Sequence, residues 1–208
     1  MVKFWNRSTT PARPWTERTF WVLDLELSSL DARTGHVLSA GWVCIEHGQV
    51  RLAEAGHCLF RQSAMMGDDV SASAHLHHIT DQQREQGVDL GDWLTERLAR
   101  HADDLWVCHH APLDIAFLKE QCRRFAIDWP EPKVLDTLRF EKKRLPREIP
   151  GSYRDLNLNA CRRRYGLPTY RAHHAFSDAL ATAELCLAQV RSRLGPDPTD
   201  VDLIKAYR

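Results

Sequence analysis

Phe20-Trp21-Val22-Leu23-Asp24-Leu25-Glu26-Leu27 is an apolar run that ends in two carboxylates one residue apart. Period-2 geometry puts Phe20, Val22, Asp24 and Glu26 on one face of a strand and Trp21, Leu23, Leu25 and Leu27 on the other. Two negative charges this close on so apolar a strand repel each other unless a cation lies between them. Hard divalent cations such as Mg²⁺ and Mn²⁺ prefer carboxylate oxygens, so the D-x-E pair is half of a candidate metal site. Alone, the motif fits a solvated strand end at least as well.

The surrounding pattern supplies the fold class. After Ser28 to Gly35, which has turn composition, two β-rich runs, Val37 to Glu46 and Gln49 to Phe60, are separated by His47-Gly48 and predict a three-stranded antiparallel meander with the first strand. The period then changes. Leu90, Trp93, Leu94 and Leu98 predict a helix, Leu105 to Cys108 a short buried strand, and Ile115, Leu118, Cys122 and Phe125 a second helix. Val134-Leu135 reads as another strand followed by a helix from about 136. A basic loop and a helix near 155 to 165 come next, and Leu180, Ala183, Leu187 and Val190 mark a long closing helix. Hairpins first and β-α-β units afterwards give an α/β fold, a mixed sheet of antiparallel meander plus parallel strands flanked by helices.

The 208 residues, 43% of them hydrophobic, can bury one good core. The fold is expected to span residues 18–195, with 1–17 a flexible N-terminal extension and 196–208 a C-terminal tail. Lys plus Arg (28) equals Asp plus Glu (28), so affinity for a polyanion has to come from a local patch. The six cysteines include no C-x-x-C pair, and no apolar run is long enough to span a bilayer, which fits a reduced, cytoplasmic chain without membrane contact. The same missing spacings disfavour a zinc site built from His75, His77, His78 and the cysteines.

Further carboxylates stand at predicted helix starts. Asp114 follows Pro112 in His109-His110-Ala111-Pro112-Leu113-Asp114, and Asp178 follows His173-His174-Ala175-Phe176-Ser177. Each alone is an ordinary acid complementing a helix dipole. Their order is not ordinary. D-x-E on a first strand, H-x-A-P-x-D-I-x-F-L after a second and H-x-x-x-x-D before the closing helix resemble the three motifs of the DEDDh family of 3′–5′ exonucleases, over about residues 19 to 192. Leu76-His77-His78-Ile79-Thr80 and Leu135-Asp136-Thr137-Leu138 are similar to segments of its proofreading branch, the exonuclease subunit of the bacterial replicative polymerase. The first motif departs from the common D-T-E-T-T-G: here it reads Asp24-Leu25-Glu26-Leu27-Ser28-Ser29, and Leu27 cannot donate a side-chain hydrogen bond.

The resemblance implies a ribonuclease H-like fold and two Mg²⁺ or Mn²⁺ ions. Asp24 would bridge the ions, Glu26 and Asp178 would complete the nucleophile-side site, and Asp114 would hold the second; His173 would be the general base. Leu27, Ser28, His77 and Phe176 would meet the 3′ end. The implied activity is removal of nucleoside 5′-monophosphates from single-stranded or frayed 3′ ends, with DNA as the expected polymer and a DNA polymerase subunit as a candidate partner. The alternatives are an oligoribonuclease-like RNA exonuclease, suggested by the D-L-E-apolar pattern, and a non-catalytic docking module. Arg139, Lys142, Lys143, Arg144, Arg147 and Arg154 form a candidate phosphate-tracking surface, and Arg162-Arg163-Arg164 are expected to decorate an outward helix face.

Overall fold

The computed structural model describes residues 12–61, 84–145, 155–171 and 173–207. One five-stranded sheet in the order β3-β2-β1-β4-β5 organises them. β1 (Phe20–Leu27), β2 (Val37–Glu46) and β3 (Gln49–Leu59) form the expected antiparallel meander. β4 (Leu105–Cys108) and β5 (Lys133–Asp136) add parallel strands on the other side of β1. The mixed sheet predicted from the change of hydrophobic period is thus present, and its central strand carries the D-x-E pair.

Helices cover both faces. α1 (Leu90–Arg100) and α2 (Ala111–Phe125) contribute to a core that contains Trp21, Leu23, Leu25, Leu27, Trp42, Trp93 and Trp106. α3 (Thr137–Arg144), α5 (Ala175–Arg193) and α6 (Asp200–Tyr207) contribute to a second core with Phe20, Val22, Val43, Ile45 and Leu135. Alternate residues of β1 therefore go to opposite cores, and Asp24 and Glu26 continue the row facing α5. A short helix, α4 (Leu158–Arg163), lies within the predicted stretch near 155 to 165 and is capped by the Asn157 side chain accepting the Ala160 N–H at 2.8 Å.

The approach of α5 to the sheet is unusually close. Its buried face is lined by Ala175, Ala179 and Ala183, which keep the helix axis near the strands. At its first turn the helix meets Gly41 of β2, where a Cβ would lie 2.2 Å from the Ala175 carbonyl carbon and from the Phe176 nitrogen. Gly41 pairs with Asp24 across the β1–β2 ladder.

The boundaries expected at 17/18 and 195/196 do not mark the edges of the packed body. Trp15 is only 2% exposed, and its backbone N–H donates to the Pro198 carbonyl at 3.1 Å. Arg13 N–H donates to Asp200, while Leu203 and Tyr207 are buried, the Tyr207 ring 4.4 Å from that of Phe140. The two terminal segments clasp each other beside the second core. Sequence composition at 8–14, rich in Ser, Thr and Pro, hid the contribution of the single large side chain that follows.

Trp15→Ala should therefore destabilise the protein by about 3–5 kcal/mol, the usual cost of emptying a buried aromatic site. Urea denaturation followed by far-UV circular dichroism measures it; an unchanged midpoint would show that this segment is not part of the cooperative unit.

Candidate active site

The carboxyl side of the central strands, where β1 leaves the sheet beside the starts of α2 and α5, gathers the acids. Asp24, Glu26 and Asp178 each offer an oxygen within 4.8 Å of the others, a spacing that could hold a metal ion. Glu26 is 5% exposed and Asp24 and Asp178 are half-buried. Asp178 is placed by the first turn of α5, where its N–H donates to the His174 carbonyl and its carboxylate accepts the His173 N–H at 2.8 Å. Asp114, 6% exposed in the first turn of α2, stands beside this trio with one oxygen accepting the Leu25 N–H at 3.2 Å. Three of the four sequence-predicted acids thus form the cluster, and the fourth borders it.

The electrostatics agree with this crowding. Burial, and then the charges of Asp114, Asp178 and Glu26, push the Asp24 carboxyl well above the ordinary carboxylate range. Burial raises Asp114 to about 8, against the pull of the Leu25 N–H. Asp178 is raised as well, first by burial. Without a cation these groups favour protons, and a divalent cation offers the same relief while leaving them ionised. The donor set, hard carboxylate oxygens held on a strand and a helix, fits such an ion.

A cavity of about 430 Å³ opens at the cluster, lined by Asp24, Asp178 and His173 together with His109, Asn157 and Arg163. His173 has φ +68°, a left-handed conformation that turns the chain just before α5. His174 is the N-cap residue, and its ring stacks on His57 of β3 at 4.7 Å instead of pairing with Asp178. The two neighbouring histidines are therefore divided between the cavity and the sheet edge. His109 is held at both ring nitrogens, 2.8 Å from the Thr137 hydroxyl and 2.9 Å from the Leu156 carbonyl, and burial lowers its pKa. A carbonyl only accepts, so Nε2 donates to Leu156, while the Thr137 hydroxyl also donates to the Cys108 carbonyl at 3.3 Å.

Other sequence candidates are placed differently. Leu27 is 8% exposed and packed in the core opposite the carboxylates, because the one-residue step from Glu26 turns it to the other face. That position leaves it little surface for a substrate. The Ser28 hydroxyl accepts the His36 N–H at 2.9 Å and closes the loop after β1. Phe176 is half-buried against the second core at the start of α5. His77, Arg147 and Arg154 lie outside the described residues. Arg144 folds back over the Phe140 ring at 3.4 Å and donates to the Phe140 carbonyl, so it is bound to its own helix. Arg139, Lys142 and Lys143 instead line a second cavity of about 460 Å³ together with His110, Pro112, Leu138 and the Asp136 carboxylate that caps α3. Burial, then Arg139 and Arg144, lowers the pKa of Lys143. The cavity-lining roles of His109, Asn157 and Arg163 were missed by sequence reasoning.

With this geometry in place, the likeness to known proteins is specific. The exonuclease family model matches residues 21–186, and the chain belongs to that family. The PolC-type DNA polymerase III of Thermotoga maritima is 29% identical over 172 residues, 82% of this chain and 12% of that protein. The PolC-type polymerase of Staphylococcus haemolyticus is 24% identical over 176 residues, 84% of this chain and again 12% of the relative. The chain thus spans a small part of these relatives. Among solved structures, zinc-bound E. coli exonuclease I in complex with single-stranded DNA superposes with a TM-score of 0.71 at 15% identity, covering 85% of this chain and 41% of that one. Exonuclease X in complex with 5′-overhanging duplex DNA gives 0.63 at 16% identity, covering 91% and 99%. At such identities the structural likeness shows the ribonuclease H-like exonuclease fold. Among the described residues, no helix is long and apolar enough to cross a membrane.

The raised carboxyl pKa values fix a pH dependence. A native group that keeps its proton above the unfolded value, about 4 for an aspartate, lowers stability as pH rises towards the folded pKa, because the native state binds the extra proton. In EDTA, Asp24→Asn should be at least as stable as the parent chain, with an advantage that grows as pH rises from about 4 towards the alkaline side of neutrality. Mg²⁺ or Mn²⁺ should raise the melting temperature of the parent chain at pH 8 and raise that of Asp24→Asn much less. Thermal denaturation across this range checks both, and a parent chain more stable than the variant in EDTA at every pH would remove the acid-cluster account.

Proposed function

We propose that this chain is a DEDDh-type 3′–5′ exonuclease, dependent on divalent metal, that removes nucleoside 5′-monophosphates from single-stranded or frayed 3′ ends, with DNA as its substrate. The observation that carries this reading is the convergence of Asp24, Glu26 and Asp178 within 4.8 Å, beneath a cavity that His173 also lines. Two Mg²⁺ or Mn²⁺ ions, held by Asp24, Glu26 and Asp178 on one side and by Asp24 and Asp114 on the other, would neutralise the cluster and polarise the phosphodiester. The DNA in both superposed exonuclease complexes and the PolC-type relatives support the choice of polymer.

The chain's own residues do the rest. His173, set beside Asp178 by the N–H to carboxylate bond, accepts a proton from the attacking water, for which its ring has to be neutral. His109 cannot share that task, since both its nitrogens are engaged; it holds the segment before α4 against β4 and α3. Among the described residues, the cations of Arg139, Lys142 and Lys143 have no ion-pair partner, and they offer the strand a route along α3 past His110. Pro112 and Leu138 in the same cavity give a base an apolar surface.

Two measurements test the proposal. On 5′-labelled single-stranded DNA and matched RNA, a ladder shortening from the 3′ end is expected with Mg²⁺ or Mn²⁺ and none with EDTA, DNA being cut faster. His173→Ala should lower the maximal rate by about 10²- to 10⁴-fold and remove the acidic limb of the rate–pH profile, while His174→Ala costs far less. A crippling His174→Ala beside a mild His173→Ala would reverse the assignment. Separately, neutralising Arg139, Lys142 and Lys143 together should weaken oligonucleotide binding and reduce the log–log salt slope by roughly 0.7 for each phosphate that α3 no longer neutralises. An unchanged slope would make α3 a merely solvated face.

A further inference from the structure

Arg162, Arg163 and Arg164 are consecutive on α4 and just beyond it, so a helical turn sends them in three directions. Arg162 is fully buried: it donates to the Pro168 carbonyl through Nε and Nη2 at 3.0 and 2.8 Å, to the Ala181 carbonyl at 2.6 Å, and pairs with Glu184 at 2.7 Å. Arg164 donates to the Asp155 carbonyl and lies 3.8 Å from Glu141. Arg163 is exposed and lines the catalytic cavity with Asp24, His173 and Asp178. Among the described residues it has no hydrogen bond or ion pair, even though it shares that cavity with carboxylates.

The helix that presents Arg163 cannot easily rotate. Asn157 caps its first turn, Arg162 bolts it to α5 through Glu184 and Ala181, and the Asn159 amide makes paired bonds to the Tyr170 carbonyl and N–H at 3.1 and 3.3 Å. Among the described residues, Arg163 is also the one permanently charged cation on the cavity lining. His109, on the same lining, is held towards neutrality by burial. A phosphate that enters this cavity meets the Asp24 and Asp178 carboxylates on its lining, and the Arg163 guanidinium of the same lining offers fork-shaped donors that match phosphate oxygens.

We propose that Arg163 is a phosphate-binding residue of the catalytic cavity, contacting the non-bridging oxygens of the nucleotide being removed. The role rests on the exonuclease reading for the identity of that nucleotide. It is greatest after cleavage, when the P–O3′ bond has broken, water oxygen has joined the phosphorus, and the departing monophosphate carries a second negative charge.

Thymidine 5′-monophosphate and thymidine are the probes, titrated calorimetrically in Ca²⁺ against the full chain and its Arg163→Ala and Arg163→Lys variants. The nucleotide should bind about 10- to 100-fold more weakly to Arg163→Ala, the range expected when a hydrogen bond to a charged group is removed. Arg163→Lys should fall between, and thymidine should bind all three alike. Equal nucleotide binding by the parent chain and Arg163→Ala, an equal loss for nucleotide and nucleoside, or no nucleotide binding by the parent chain would each overturn the assignment. The two readings fail separately: a parent chain that shortens no oligonucleotide ends the exonuclease proposal, whereas an active parent chain whose nucleotide affinity ignores Arg163 ends this one.

Discussion

The close passage of α5 over β2 is the constraint on which the site depends. Asp178 reaches Asp24 and Glu26 only because the first turn of α5 sits almost on the strand backbone, and Gly41 is where the two elements touch. Any side chain there would need space already filled by the Ala175 and Phe176 backbone. The row of Ala175, Ala179 and Ala183 continues the same economy of volume down the helix. The geometry of the acid cluster is therefore encoded partly in residues that bear no functional group, because the distance between two carboxylates is set by how near their backbones can come.

The second constraint is electrostatic and works against the fold. Four acids are collected at one end of a sheet, where burial disfavours the charged forms of Asp24, Asp114 and Asp178. The chain moderates this with backbone donors, the Leu25 N–H to Asp114 and the His173 N–H to Asp178. These bonds fix the carboxylates in direction without removing their charge. A divalent cation at this spacing would offset the repulsion that the backbone donors leave in place. Positive φ at His110 and His173, one before each acid-bearing helix, lets the chain turn sharply enough to start both helices at the site.

Two cavities flank the His109–His110 segment, one acidic and one basic, and the division follows from local anchoring. His109 is pinned between Thr137 and Leu156, while the His110 N–H is held by Asp136, whose carboxylate also caps α3. The wall between them is thus a hydrogen-bonded partition. Chemistry at the acids and grip on the strand at α3 are proposed for its two sides.

Local periodicity made much of this legible. The alternation in β1 put Asp24 and Glu26 together on a face, and the turn at His47-Gly48 gave the meander. The order of the three motifs pointed to the family that the match over residues 21–186 then showed. The same alternation placed Leu27 away from the carboxylates, a consequence that the resemblance to substrate-contacting positions obscured. What the chain pattern could not supply was the partner of each face. Three successive arginines look alike in sequence, and only the packing of α4 against α5 buries Arg162, ties Arg164 to its neighbours and leaves Arg163 exposed on the cavity that Asp24 and Asp178 also line. Trp15 and Tyr207 join the body through pairing between the chain's two terminal segments. Periodicity reports the direction of a side chain about its own axis, whereas what lies in that direction is decided by contacts between residues far apart in the chain.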